Sequence, residues 1–223
     1  MNTCKYCGKS FSHMKTLSTH VCVKKQRFLD IESAGSRFGL RAFQRFYELT
    51  TACKKTKSVE EFIGSPYYID FAKFGNHLAL LKPVYIEKYI DFVILNSIKL
   101  KDWSKDFVYE TYINDLIKKE PAVSATERTI TEIVEWCDKN NVKFEDFFRD
   151  VPANEAAYLI KTGRISPWVL YLANKGDDLL SRFNEDHAKI IGEIIDPGGW
   201  MRKFKKASDD VEYIRELLEQ ANL

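Results

Sequence analysis

Four side chains near the start of the chain have the types and spacing of a metal site. Cys4 and Cys7 stand two residues apart, twelve residues pass before His20, and Val21 alone separates His20 from Cys22. Thiolates are soft donors and imidazole is borderline, a set that suits zinc in a tetrahedral shell. So short a segment cannot bury enough apolar surface to fold alone. A structural zinc supplies about 10–16 kcal/mol to such peptides. Gly8, directly after Cys7, suits a turn that needs φ > 0. The last pair constrains the backbone: positions i and i+2 of an α-helix point about 200° apart. A helix carrying His20 must therefore end at or near it if Cys22 is to turn back. His13, seven residues earlier, lies about 10 Å away along the same helix and cannot substitute for Cys22. Two forms of the site stay open, one with Cys22 as fourth ligand and one with Cys22 outside the shell.

The apolar spacing around these ligands is also specific. Phe11 lies four residues after Cys7, Leu17 six after Phe11, and His20 three after Leu17. With these residues the stretch resembles a C2H2-type zinc finger, here in a C2HC variant. The resemblance implies a small ββα-like unit over residues 1–24, with Zn2+ on Cys4, Cys7, His20 and Cys22 and with Phe11 and Leu17 packed over the metal. Two departures stand out: Asn2 occupies a place where the family has an aromatic, and the final ligand pair is one residue apart rather than three to five. The resemblance further implies a helix starting near Met14, with His13, Lys15, Thr16 and Thr19 facing bases. His13 and Lys15 can donate to guanine acceptors, whereas the threonines are short and permissive. One finger spans about 3 base pairs, so weak sequence selectivity is expected. The chain as a whole resembles uncharacterised zinc-finger proteins of T4-like bacteriophages, through the segments Phe43-Gln44-Arg45-Phe46-Tyr47-Glu48 and Gly163-Arg164-Ile165-Ser166-Pro167-Trp168-Val169-Leu170-Tyr171. That implies a viral protein acting in a host bacterial cytosol and brings no known activity.

The charge is distributed unevenly. Residues 1–60 carry 12 Lys or Arg against 4 Asp or Glu, and the remaining chain carries 22 against 28, although the net charge is only +2. A basic contact surface joined to an acidic body fits this split. Lys9, Lys15, Lys24, Lys25 and Arg27 are the expected phosphate contacts, the last three in or beside a basic linker at residues 25–36. Arg37, Arg41 and Arg45 recur every fourth residue and form one ridge on a helix. Such a ridge can lie on a nucleic-acid backbone or snorkel over a core edge. Lys54, Lys55 and Lys57 then end the helix.

From residue 37 to 223 the pattern predicts an all-α helical domain, so the fold class is mostly α. Ser58 and Glu61 have capping-box spacing. Ser65-Pro66 and Ser166-Pro167 open two helices with similar start chemistry. Further helices are expected over residues 67–81, 85–98, 106–119, 124–138, 144–148, 154–161, 167–173, 177–183, 185–195 and 209–222, with a turn at Asp196-Pro197-Gly198-Gly199.

Catalytic signals are sparse. The chain has no Walker loop, dinucleotide fingerprint or nucleophile elbow, and it is read as not an enzyme. His77 is expected to be a helix residue with a satisfied hydrogen bond. Asp177-Asp178 and Asp209-Asp210 sit where helices begin, so capping explains them. Trp168, Tyr171 and Trp200 are expected in the core, while the segment from Trp200 to Lys206 offers a second basic patch. No apolar run approaches the roughly 18 residues of a membrane span, and no apolar leader follows Met1. Cys53 and Cys137 are expected as small buried thiols in a reducing cytosol. The resulting expectation is a cytoplasmic zinc-finger protein that binds nucleic acid, DNA more than RNA. The alternative is a structural or adaptor protein whose finger and helical body engage a protein partner.

Overall fold

The computed structural model describes residues 1–51 and 55–223. Cys53 and Lys54 lie outside the described residues. The fold is mostly α, as the periodicity predicts: among the described residues there are fifteen α-helices, two short 3-10 turns and one two-stranded sheet. The chain divides into two compact units, Met1–Val108 and Tyr109–Leu223.

The first unit opens with β1 (Asn2–Thr3) and β2 (Ser10–Phe11), which pair antiparallel with Asn2 opposite Phe11. Gly8 between them adopts φ +74°. Next come α1 (Met14–Ser18), α2 (Val23–Leu29), α3 (Ala34–Thr50), α4 (Val59–Gly64), α5 (Tyr68–Leu81) and α6 (Ile86–Leu95). Residues 25–36, read from sequence as a linker, hold most of α2, the turn into α3 and the first residues of α3. Ser33 caps α3, and Ser58 with Glu61 forms the expected capping box on α4. α3 and α5 pack so closely that Gly39 and Gly75 leave no room for a side chain at their crossing. A Cβ on Gly75 would run into the Gly35 carbonyl and the Gly39 amide, and one on Gly39 would come within 2.8 Å of the Phe71 carbonyl. Around this crossing Phe43, Phe62, Phe71, Phe74, Tyr89 and Trp103 are buried. Trp103 donates its indole N–H to the Ile98 carbonyl at 2.8 Å and accepts the Tyr89 hydroxyl on its own carbonyl at 3.1 Å. Both aromatic polar atoms are thus satisfied inside an apolar core.

α7 (Asp106–Lys119) begins three residues before the unit boundary. The second unit continues with α8 (Ala122–Asn140), α9 (Phe147–Asp150), α10 (Ala153–Lys161), α11 (Pro167–Leu172), α12 (Gly176–Ser181), α13 (Glu185–Ile191), α14 (Pro197–Lys206) and α15 (Ser208–Gln220). Asn141 ends α8 in the left-handed region, φ +54°. A buried ion pair ties the start of α8 to the turn after α10. Arg128 bonds Glu120 at 2.7 Å, donates to the Gly163 carbonyl and reaches the Arg164 carbonyl at 3.0 Å. Both charged side chains are more than 90% buried, so each needs the other.

One expectation fails in this unit. Asp196-Pro197-Gly198-Gly199 is not a free-standing turn but the start of α14. The Asp196 carboxylate accepts the Gly198 and Gly199 amides at 3.2 and 2.9 Å, and Pro197 takes the first helical position. Cap chemistry and Pro at N1 outweigh the turn propensity of the glycines. The basic segment that follows is split between two faces. Trp200 is buried against Trp168 and Phe204, and Lys203 lies over the Trp200 ring at 4.6 Å with its ammonium on the Ile117 carbonyl. Burial pushes the Lys203 ammonium below its ordinary value. Trp168 is core, as expected. Asp177-Asp178 and Asp209-Asp210 lie in the first turns of α12 and α15, as capping predicts.

Candidate metal centre

Three local structures bring the four metal-type side chains together. The first is the tight turn between β1 and β2. The Gly8 amide donates to the Cys4 carbonyl, and the Cys4 amide to the Lys9 carbonyl, both at 2.8 Å. The positive φ of Gly8 lets the chain fold back here, so Cys4 and Cys7 face the same side. The second is α1, which starts at Met14 and gives out at Ser18, with Thr19 as its C-cap. His20 therefore sits just past a helix end, where the spacing to Cys22 requires it. The third is α2. Cys22 is its N-cap, in extended conformation, and its sulfur accepts the Lys25 amide at 3.4 Å. The helix break between His20 and Cys22 is what turns the fourth donor back.

The ligand atoms of Cys4, Cys7, His20 and Cys22 all lie within 4.8 Å of one another. For the zinc that the resemblance implies, bonds of about 2.3 Å to sulfur and 2.0–2.1 Å to nitrogen in a tetrahedron put S and N about 3.6 Å apart. Cys7 Sγ and His20 Nε2 are 3.4 Å apart. The residues thus fit a tetrahedral metal ion through the Nε2 atom of the histidine. Phe11 packs on the His20 ring at 4.7 Å, which fixes that ring beside the thiols. The electrostatics of Cys4 and Cys7 differ in sign. The Cys7 amide donates to the Cys4 sulfur and holds that thiol below its ordinary value, against the opposing effect of burial. The Lys9 amide favours a thiolate at Cys7, but desolvation and the neighbouring Cys4 and Cys22 thiols outweigh it and hold this group up. A cation held among the sulfurs would favour the deprotonated form of its ligating thiols.

The residues expected to meet nucleic acid fall into two groups. His13, Lys15, Thr16 and Thr19 are all exposed on or beside α1. Thr19 bonds its hydroxyl back to the Lys15 and Thr16 carbonyls at 3.1 and 3.4 Å. Lys9 and Lys24 are exposed, and Lys25 reaches the His20 carbonyl at 3.3 Å. The arginines are mostly engaged within the unit. Arg27 donates to the Ile63 carbonyl at 2.8 Å and lies over the Tyr68 ring at 4.2 Å, tying α2 to α4 and α5. Arg41 pairs with Glu87, while Arg45 forms a two-pronged bond to Asp91 at 2.6 and 2.8 Å. Arg37 is exposed and has no ion-pair partner among the described residues.

His77 lies in α5, as expected, but among the described residues its buried Nε2 atom has no hydrogen-bond partner, and burial pushes the imidazole below its ordinary value despite the nearby Asp106 carboxylate.

Sequence reasoning passed over two residues beside the site, Tyr6 and Phe28. Tyr6 lies between the first two ligands, and its ring meets that of Phe28 on α2 at 5.1 Å. The available signal was helical spacing: Lys24 and Phe28 are four apart and share a face of α2.

Among the described residues, no helix is long and apolar enough to cross a membrane. No protein-family model, curated protein or solved structure matches the chain.

Proposed function

We propose that the chain is a zinc-binding protein whose N-terminal finger contacts nucleic acid with little sequence selectivity. The observation that carries this reading is the cluster of three cysteines and one histidine with mutual distances suited to one tetrahedral ion. Zinc is the ion of choice because a closed shell of three thiolates and one imidazole is a structural-zinc donor set. Lys9, Lys15 and Lys24 are exposed around the cluster and supply the phosphate-binding charge. On the resemblance to proteins of T4-like bacteriophages, the proposed setting is the cytosol of an infected bacterium, and DNA is the favoured target.

The zinc-loaded intact protein should bind generic DNA at low salt. Changing Lys9, Lys15 and Lys24 together to alanine should weaken that binding alike on all sequences. Untouched affinity in the triple variant would remove these contacts from the reading. A second reading, an adaptor that docks on a protein, draws support from two observations. Arg27, Arg41 and Arg45 are held by partners inside the first unit. The finger and α2 also expose Met14, Val21, Val23 and Leu29.

A further inference from the structure

Beside the candidate metal centre lies a cleft of about 300 Å³, lined by Lys5, Tyr6, Lys24, Phe28, Glu60 and Ile63. Three elements build it. The turn between Cys4 and Cys7 supplies Lys5 and Tyr6, α2 supplies Lys24 and Phe28, and α4 supplies Glu60 and Ile63. Ile63 is buried and forms an apolar floor, whereas Phe28 is 39% exposed. The Lys5 ammonium lies 4.9 Å from the centre of the Tyr6 ring. Glu60 sits in the first turn of α4, where its own amide and the Ser58 hydroxyl hold its carboxyl below the usual carboxylate range. The cleft thus combines two aromatic rings, two ammonium groups and one carboxylate. Its volume is at the small end of ligand pockets.

We propose that this cleft takes one unstacked nucleobase of a single-stranded nucleic acid, with guanine preferred. This rests on the nucleic-acid reading above and names the form of target that it favours. A base can reach the face of Phe28 only when it is out of a duplex stack, and ring-on-base stacking is the usual source of affinity for single strands. The phosphates flanking that base meet Lys5 and Lys24, as charge complementarity requires. Glu60 repels phosphate and accepts N–H donors, so the edge of the base faces it. Guanine offers two adjacent N–H groups on that edge. Cys4, Cys7 and Cys22 would clamp the cleft when they hold a metal: Lys5 and Tyr6 lie between the first two, and Lys24 lies two residues beyond the third.

The test uses the zinc-loaded intact protein and fluorescently labelled eight-nucleotide strands. These are all-dT, all-dT with one central dG, and all-dT with one central dA, each as DNA and as the matching RNA, alongside a generic duplex. The strand with dG should bind most tightly. Phe28→Leu, which keeps apolar packing without the ring, should lose roughly 5- to 150-fold on single strands and little on duplex, whereas Phe28→Tyr should retain binding. Glu60→Gln should bring the dG and dA strands together. Zinc content and far-ultraviolet dichroism check that each variant is folded. If Phe28→Leu loses its zinc, Lys5→Ala replaces it and should weaken every single strand more than the duplex. Full single-strand affinity in a folded Phe28→Leu protein that still binds duplex overturns the cleft and leaves the broader reading standing. Equal affinity for dG and dA strands in the unaltered protein overturns the guanine assignment. Binding to no strand and no duplex at low salt overturns both and hands the finger to the adaptor reading. Similar affinities for DNA and RNA support recognition of base and phosphate, and loss of one series assigns the site to the other.

Discussion

At the scale of single residues, Cys22 decides the chemistry. It is both the fourth sulfur-or-nitrogen donor of the cluster and the N-cap of α2, so it would join a bound metal to the next helix. Cys22→Ala should lower zinc affinity by more than the 10- to 100-fold that loss of an outer-shell partner costs. A competition titration against a coloured chelator measures this, and unchanged affinity would place Cys22 outside the shell. Arg27 is the second informative residue. Its charged hydrogen bond to the Ile63 carbonyl and its stacking on Tyr68 should make Arg27→Ala cost about 1.5–3 kcal/mol of stability in a denaturant titration. The cluster of metal-type side chains was legible in the sequence because residue type and spacing together mark a candidate metal site within nineteen positions. The fate of the arginines was not. The ridge of Arg37, Arg41 and Arg45 reads equally well as a nucleic-acid contact or as a core edge, and Asp91 lies 46 residues from the arginine it binds. Only the packing of α6 on α3 brings that carboxylate near.

At the scale of elements, caps and crossings divide the legible from the hidden. The capping box at Ser58 and Glu61 and the acids at the starts of α12 and α15 were readable, because end chemistry is local in sequence. The turn misread at Asp196 failed for a related reason. Asp-Pro-Gly-Gly is turn chemistry and helix-start chemistry alike, and the apolar residues Trp200 and Phe204 that draw the segment into a helix lie outside the motif. The crossing of α3 and α5 left no readable signal, since Gly35, Gly39 and Gly75 acquire meaning only when the two helices meet. Gly75→Ala places a methyl group against the backbone of α3. It should destabilise the first unit at or above the top of the 1–3 kcal/mol typical of overpacking, read as a lowered denaturation midpoint with unchanged slope. Gly64, whose added Cβ would meet nothing within 4 Å, is the control: Gly64→Ala should cost far less.

For the whole molecule, a bound metal and the helices would carry separate shares of the folding energy. The helices from α3 onward bury their own aromatic and aliphatic side chains, whereas no residue of α1 or α2 is buried. Chelation should therefore unfold the first twenty-odd residues and leave most of the far-ultraviolet helical signal in place. Collapse of that signal on chelation would make the metal a determinant of the entire fold. The proposed function belongs to the same scale, because on that reading it would require the metal, the exposed lysines and the supporting helices together. The most direct measurement is the affinity of the intact protein for a generic DNA strand, with and without zinc, across a salt series. The zinc-finger reading predicts binding only in the zinc form, with log affinity falling linearly as log salt rises, at a slope of about −3 to −5 for a handful of phosphate contacts. Equal affinity in the zinc-free protein, or no binding at low salt in the zinc-loaded one, would contradict it.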